Sequence, residues 1–142
     1  MDESSFNASH LKGTTWGAVN ERPVVEVSGR RPRVSAFSAI TWNGDLFAET
    51  YTGSMNSERF CNYLQDLMQV FPKRLIVMMD GLSVHVSKKV AQWVEENTGG
   101  RVKLVKFPKY CPKLNADESV WSIAKQRLRQ KPLMKGENWK EK

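Results

Sequence analysis

The chain has 142 residues, with 22 Lys and Arg against 15 Asp and Glu and a formal charge of +7. Length and a 40% hydrophobic content suit one domain with one core, and two cysteines without a CxxC pair exclude a disulfide framework or a cysteine zinc site. No apolar run reaches the roughly 18–20 residues of a membrane span, the polar opening lacks a signal peptide's apolar stretch, and the positive balance favours a polyanion such as DNA or RNA.

In chain order, segments around Phe6, at 16–19 and at 24–27 read as short strands broken at Gly13, Gly17 and Pro23. Arg30, Arg31 and Arg33 crowd about Pro32 in a basic turn suited to phosphates. Residues 34–41 and 46–52 are β-prone, and Asn43 and Gly44 between them tolerate positive φ, which predicts a hairpin. A helix follows from an Asn56 or Ser57 cap to Pro72, with Phe60, Tyr63, Leu64, Leu67, Met68 and Phe71 as its apolar stripe. Five apolar residues, 75–79, then end abruptly at Asp80 and read as a buried strand delivering an acid to a sheet edge.

A second helix is predicted from Ser87 to Asn97, closed by Gly99 and Gly100, and then a strand over 102–107. Prolines 108 and 112 make the next segment an extended loop, and Asn115 caps a last helix reaching about Arg129. Residues 1–130 form the domain, and 131–142 are expected to be a flexible basic tail. Hairpin strands followed by alternating strands and helices imply an α/β fold with a mixed sheet.

Asp2, Asp80 and the Asp117 and Glu118 pair attract attention. Singly, each has a structural explanation: Asp80 opens a turn, and the pair suits a helix N-terminus. Together, three carboxylates at a sheet edge suit two Mg²⁺ or Mn²⁺ ions acting on a phosphodiester, and an oxygen donor set points away from zinc. On a helical wheel Asp117 falls within the apolar face of Val120, Trp121, Ala124 and Leu128, about 100° from Glu118. Lys113, in the loop, and Lys125, near Glu118's side of the helix, are candidate phosphate contacts.

DESSF at 2–6, TTW at 14–16, DGLSVH at 80–85 and FPKYCPKLNADESVWSIAK at 107–125 resemble the DDE endonuclease domain of mariner-superfamily transposases, in the bacterial or archaeal insertion-sequence branch. The resemblance implies an RNase H-like, five-stranded mixed sheet flanked by helices, with the first strand truncated to a residue or two around Asp2. It implies that Asp2, Asp80 and Glu118 form the catalytic, metal-binding triad, with Asp117 as the rival third ligand and His85 at the periphery. It implies metal-dependent cleavage and strand transfer of DNA during transposition. Gly81 stands where the family has asparagine, Cys111 replaces its serine, and Ala116 and Asp117 replace a proline and an apolar residue.

Family transposases carry helix-turn-helix domains ahead of this core, so such a portion is expected from another reading frame, alongside a possible homodimer, in the cytoplasm on DNA. Two readings compete with this one. One is an inactive transposase remnant that binds DNA or a partner through its basic surface, and the other is an RNase H-like nuclease acting on other substrates.

Overall fold

A computed structural model describes residues 1–7, 16–21, 33–108 and 111–130. Strand β1 (Asp2–Asn7) pairs antiparallel with β2 (Arg33–Ile40), which pairs antiparallel with β3 (Leu46–Tyr51). Helix α1 (Ser57–Val70) leads to β4 (Leu75–Met79), α2 (Lys88–Asn97), β5 (Val102–Lys106) and α3 (Asp117–Gln130). β4 and β5 pair in parallel, as expected of strands joined by a helical crossover.

The sheet is not one continuous five-stranded ladder. Three antiparallel strands and a parallel pair form separate ladders, and the Met1 nitrogen, donating to the Met78 carbonyl at 2.9 Å, links them. The residue before β1 thus meets β4 where the expected five-stranded sheet would be continuous. The expected truncation of β1 is corrected, because the strand runs forward from Asp2 along β2. Six residues of β1 are in register, from Asp2 opposite Ser38 to Asn7 opposite Arg33.

β2 lies between two strands and has both faces covered, and its small residues explain how. Phe37 faces α1 and stacks on Tyr63 with ring centroids 4.6 Å apart, while Ser38, fully buried, faces α3. Small side chains on that face let α3 approach closely. The hairpin forms as predicted. Gly44 takes φ +90° and the Thr41 amide bonds the Asp45 carbonyl at 2.9 Å, though Asn43 keeps a negative φ.

α1 starts where Asn56 accepts the Arg59 amide at 2.8 Å, and it buries Phe60, Tyr63, Leu64 and Leu67. Its last carbonyls, those of Met68 and Phe71, are met by the Arg101 guanidinium at 3.1 and 3.2 Å. Ser87 caps α2, and Gly99 and Gly100, at φ +55° and +76°, turn the chain into β5.

Three expectations need correction. β4 is not buried on both faces: Val77 and Met79 enter the core, whereas Ile76 is 71% exposed, since α3 packs on β1 and β2 and leaves this face of β4 open. Residues 16–18 form no strand, and 19–20 make a turn instead. The loop after β5 is not extended throughout, because Pro112–Leu114 makes a 3-10 turn. The predicted strand at 24–27 and the tail at 131–142 lie outside the described residues.

Candidate active site

Asp80 follows the last residue of β4, at the point where the Phe107 amide donates to the Met79 carbonyl at 2.8 Å and the strand pair ends. Its Oδ1 accepts two hydrogen bonds, from the Leu82 amide at 3.2 Å and from His85 Nδ1 at 2.9 Å. The first is the turn that aspartate makes with its own following backbone, and it fixes where the side chain starts. His85 is buried and stacked on Phe60 with centroids 4.4 Å apart, so the ring meeting Asp80 is held by the core.

Asp2 lies half-buried near the start of β1. Burial pushes its carboxyl above the ordinary carboxylate value, hydrogen bonds from its local backbone and from Asn115 pull it back, and the charges of Asp80 and Glu118 raise it further. The three acids therefore share one electrostatic neighbourhood. Asn115 is the residue that sequence reasoning missed as part of this site. As the expected helix cap its Oδ1 accepts the Asp117 amide at 3.3 Å, and its side chain also lies near enough to Asp2 to hold that carboxyl down. A buried Asn before two acids was the available signal, and its partner lies more than a hundred residues away in the chain.

Asp117 and Glu118 occupy opposite environments. Asp117 is 1% exposed; its Oδ1 accepts the Ser38 hydroxyl, and its Oδ2 lies 2.9 Å from the Met1 nitrogen. That second contact is an ion pair without hydrogen-bond alignment, and the same nitrogen donates to Met78. Both oxygens of Asp117 are thus engaged inside the protein, as a charge on the apolar helix face requires. The Glu118 side chain is exposed and has no hydrogen-bond or ion-pair partner among the described residues, while its amide donates to the Asn115 carbonyl at 3.2 Å.

The basic residues are less well gathered. Arg33 donates to Ser5 at 3.0 Å and stands opposite Asn7, five positions along β1 from Asp2, or roughly 17 Å at the usual strand rise. Lys113 is exposed in the 3-10 turn two residues before Asn115, and Lys125 is exposed on α3, about 10 Å along the helix from Glu118. Arg30 and Arg31 lie outside the described residues.

The donor chemistry fits a hard divalent cation: three carboxylates, two of which raise the third, form a field that such an ion relieves. Among the described residues, however, no three His, Cys, Asp or Glu side chains are gathered tightly enough to hold one as they stand. No described helix is long and apolar enough to cross a membrane.

Structures with the same fold include the Mos1 transposase paired-end complex with left transposon end, at TM-score 0.71 and 14% identity over 99% of this chain and 43% of that one. The Mos1 strand transfer complex matches at 0.70 and 15%, over 98% and 42%. A chain of the simian T-cell lymphotropic virus intasome, solved with the PP2A regulatory subunit B56 gamma, matches at 0.53 and 9%, over 94% and 42%. The chain thus spans less than half the length of these proteins, and its mixed α/β fold is similar to the RNase H-like domain of Mos1. No curated protein matches it by sequence. Residues 1–138 match the DDE superfamily endonuclease family, and the chain belongs to that family.

Proposed function

We propose that this chain is the catalytic domain of a transposase of an insertion sequence, of the bacterial or archaeal branch, which cleaves DNA at element ends and joins the freed 3′ hydroxyl to target DNA. The observation that carries this reading is the match of residues 1–138 to the DDE superfamily endonuclease family, and the nearness of the Asp80 and Glu118 charges to Asp2, whose carboxyl they raise, supports taking these three as its acids. Asp2, Asp80 and Glu118 would hold two Mg²⁺ or Mn²⁺ ions. Bound there, the ions supply activation of the attacking oxygen and stabilisation of the leaving one.

The chain's own residues do the rest. Asn115 favours the charged form of Asp2, His85 and the Leu82 amide orient Asp80, and the start of α3 carries Glu118. Asp117 braces the helix against Ser38 and is set aside as a ligand in this reading. Arg33, Lys113 and Lys125, with Arg30 and Arg31, contribute to DNA binding through phosphates. Recognition of element ends belongs to a helix-turn-helix portion, supplied with this domain or from a second frame, and a homodimer would bring two ends together.

The test is nicking of supercoiled plasmid by the full chain in Mn²⁺. The expected result is relaxation that Asp80→Ala abolishes; equal nicking by Asp80→Ala would sink the ligand assignment. The spread of the donors favours a second reading, an inactive remnant that binds DNA through its basic surface. It is supported instead if the chain shifts DNA in a gel but neither binds Mn²⁺ nor nicks.

A further inference from the structure

We propose that His85 is a positioning residue for Asp80, occupying one carboxylate oxygen so that the other, Oδ2, alone faces a cation. This inference rests on the metal-dependent reading above and adds a residue to it. Three observations carry it. Asp80 Oδ1 already accepts two bonds, from His85 Nδ1 at 2.9 Å and from the Leu82 amide at 3.2 Å, whereas Oδ2 has no hydrogen-bond partner among the described residues. His85 is 2% exposed and lies against Phe60 at 4.4 Å, 29° from parallel, so its ring cannot turn without opening the core. Its Nε2 is buried and unpartnered.

The last point decides the tautomer. A carboxylate oxygen already taking a backbone N–H can only accept, so Nδ1 carries the proton and Nε2 is left as a bare acceptor. The opposite tautomer would set two acceptors against each other at 2.9 Å and bury an N–H with nothing to receive it. Carboxylates that ligate metals are themselves hydrogen-bonded by outer groups that orient them, and losing such a group costs roughly 10- to 100-fold in metal affinity.

Two substitutions separate this role from packing. His85→Phe keeps the stack on Phe60 and removes the donor. His85→Asn loses the ring but returns an N–H close to the Nδ1 position. The full chain and both variants are titrated calorimetrically with Mn²⁺, and their melting is followed without metal. The expected result is that His85→Phe melts near the parent yet binds Mn²⁺ at least about tenfold more weakly, while His85→Asn recovers most of that affinity. Parental affinity in His85→Phe, or equal loss in both variants, would overturn the proposal.

A metal-free measurement keeps this proposal distinct from the catalytic reading. Long-range ¹⁵N–¹H spectra of His85 in the parent are expected to show Nδ1 protonated, and an Nε2–H tautomer overturns the proposal whatever Mn²⁺ does. Failure of the parent to bind Mn²⁺, with Nδ1 protonated, refutes the metal-dependent reading and with it the affinity half of the proposal, leaving the tautomer assignment standing.

Discussion

Replacing Asp117 and Glu118 one at a time separates a brace from the proposed metal ligand at the adjacent position. Asp117→Ala deletes the acceptor of the fully buried Ser38 hydroxyl and the counter-charge of the Met1 nitrogen, leaving the hydroxyl without an acceptor and the buried ammonium with only the neutral Met78 carbonyl. Losing the charge-assisted Ser38 bond alone costs about 1.5–3 kcal/mol. Stranding the buried partners brings the total toward roughly 3–5 kcal/mol. At about 3 °C per kcal/mol for a chain of this size, the melting temperature should fall by roughly 10 °C.

Glu118 is exposed and unpartnered, so Glu118→Ala should stay within about 0.5 kcal/mol of the parent. Its effect should fall on Mn²⁺ binding and nicking instead. Differential scanning calorimetry of both variants, alongside Mn²⁺ titration, makes the comparison. An Asp117→Ala protein that melts like the parent, or a Glu118→Ala protein destabilised as much as Asp117→Ala, would refute the division of labour between these two acids.

Asp2 gives a prediction in pH. Its folded-state value is raised above 3.8, so the folded protein holds this proton more tightly than the unfolded chain and loses stability as pH rises from 3.8 through the raised value. Asp2→Asn should therefore melt above the parent at neutral pH by a margin that shrinks on acidification through that window; a margin constant with pH would show that the ionised carboxylate is not under strain. Asn56→Ala removes the α1 cap at 2.8 Å from the Arg59 amide and should cost about 1 kcal/mol in urea unfolding without touching Mn²⁺ affinity. Phe37→Ala empties the place stacked on Tyr63 and should cost about 3–5 kcal/mol, and a loss below 1 kcal/mol would mean that the α1 face of β2 is not the centre of the core.

The parts of the molecule that obey local rules could be read from the sequence. The hairpin turn at Gly44, the Asn56 and Ser87 caps and the apolar stripe of α1 each depend on residues a few positions apart, and each stands where it was expected. The placement of Asp117 on the apolar face of α3 was also legible, because 3.6-residue periodicity needs no partner to be known. What occupies that acid was not: Ser38 lies 79 positions away in the chain. Asn115 shows the same limit, since its cap is local and its nearness to Asp2 is not.

β4 misled for a different reason. Five consecutive apolar residues suit a strand covered on both faces, but coverage depends on where α3 lands, and that helix packs on β1 and β2. The acids and the basic residues differ in how local structure fixes them. A carboxylate is tied to the end of its strand or helix, whereas Arg33 and Lys125 sit on exposed surfaces whose relation to the site no sequence pattern encodes.

An anomalous difference map from a crystal of the full chain soaked in Mn²⁺ tests the central claim most directly. The account predicts density for two ions, about 3.5–4 Å apart, bounded by Asp2, Asp80 and Glu118, with Asp80 contributing Oδ2 and Asp117 still bound to Ser38. Density at Asp117, or none among the three acids at saturating Mn²⁺, would contradict it.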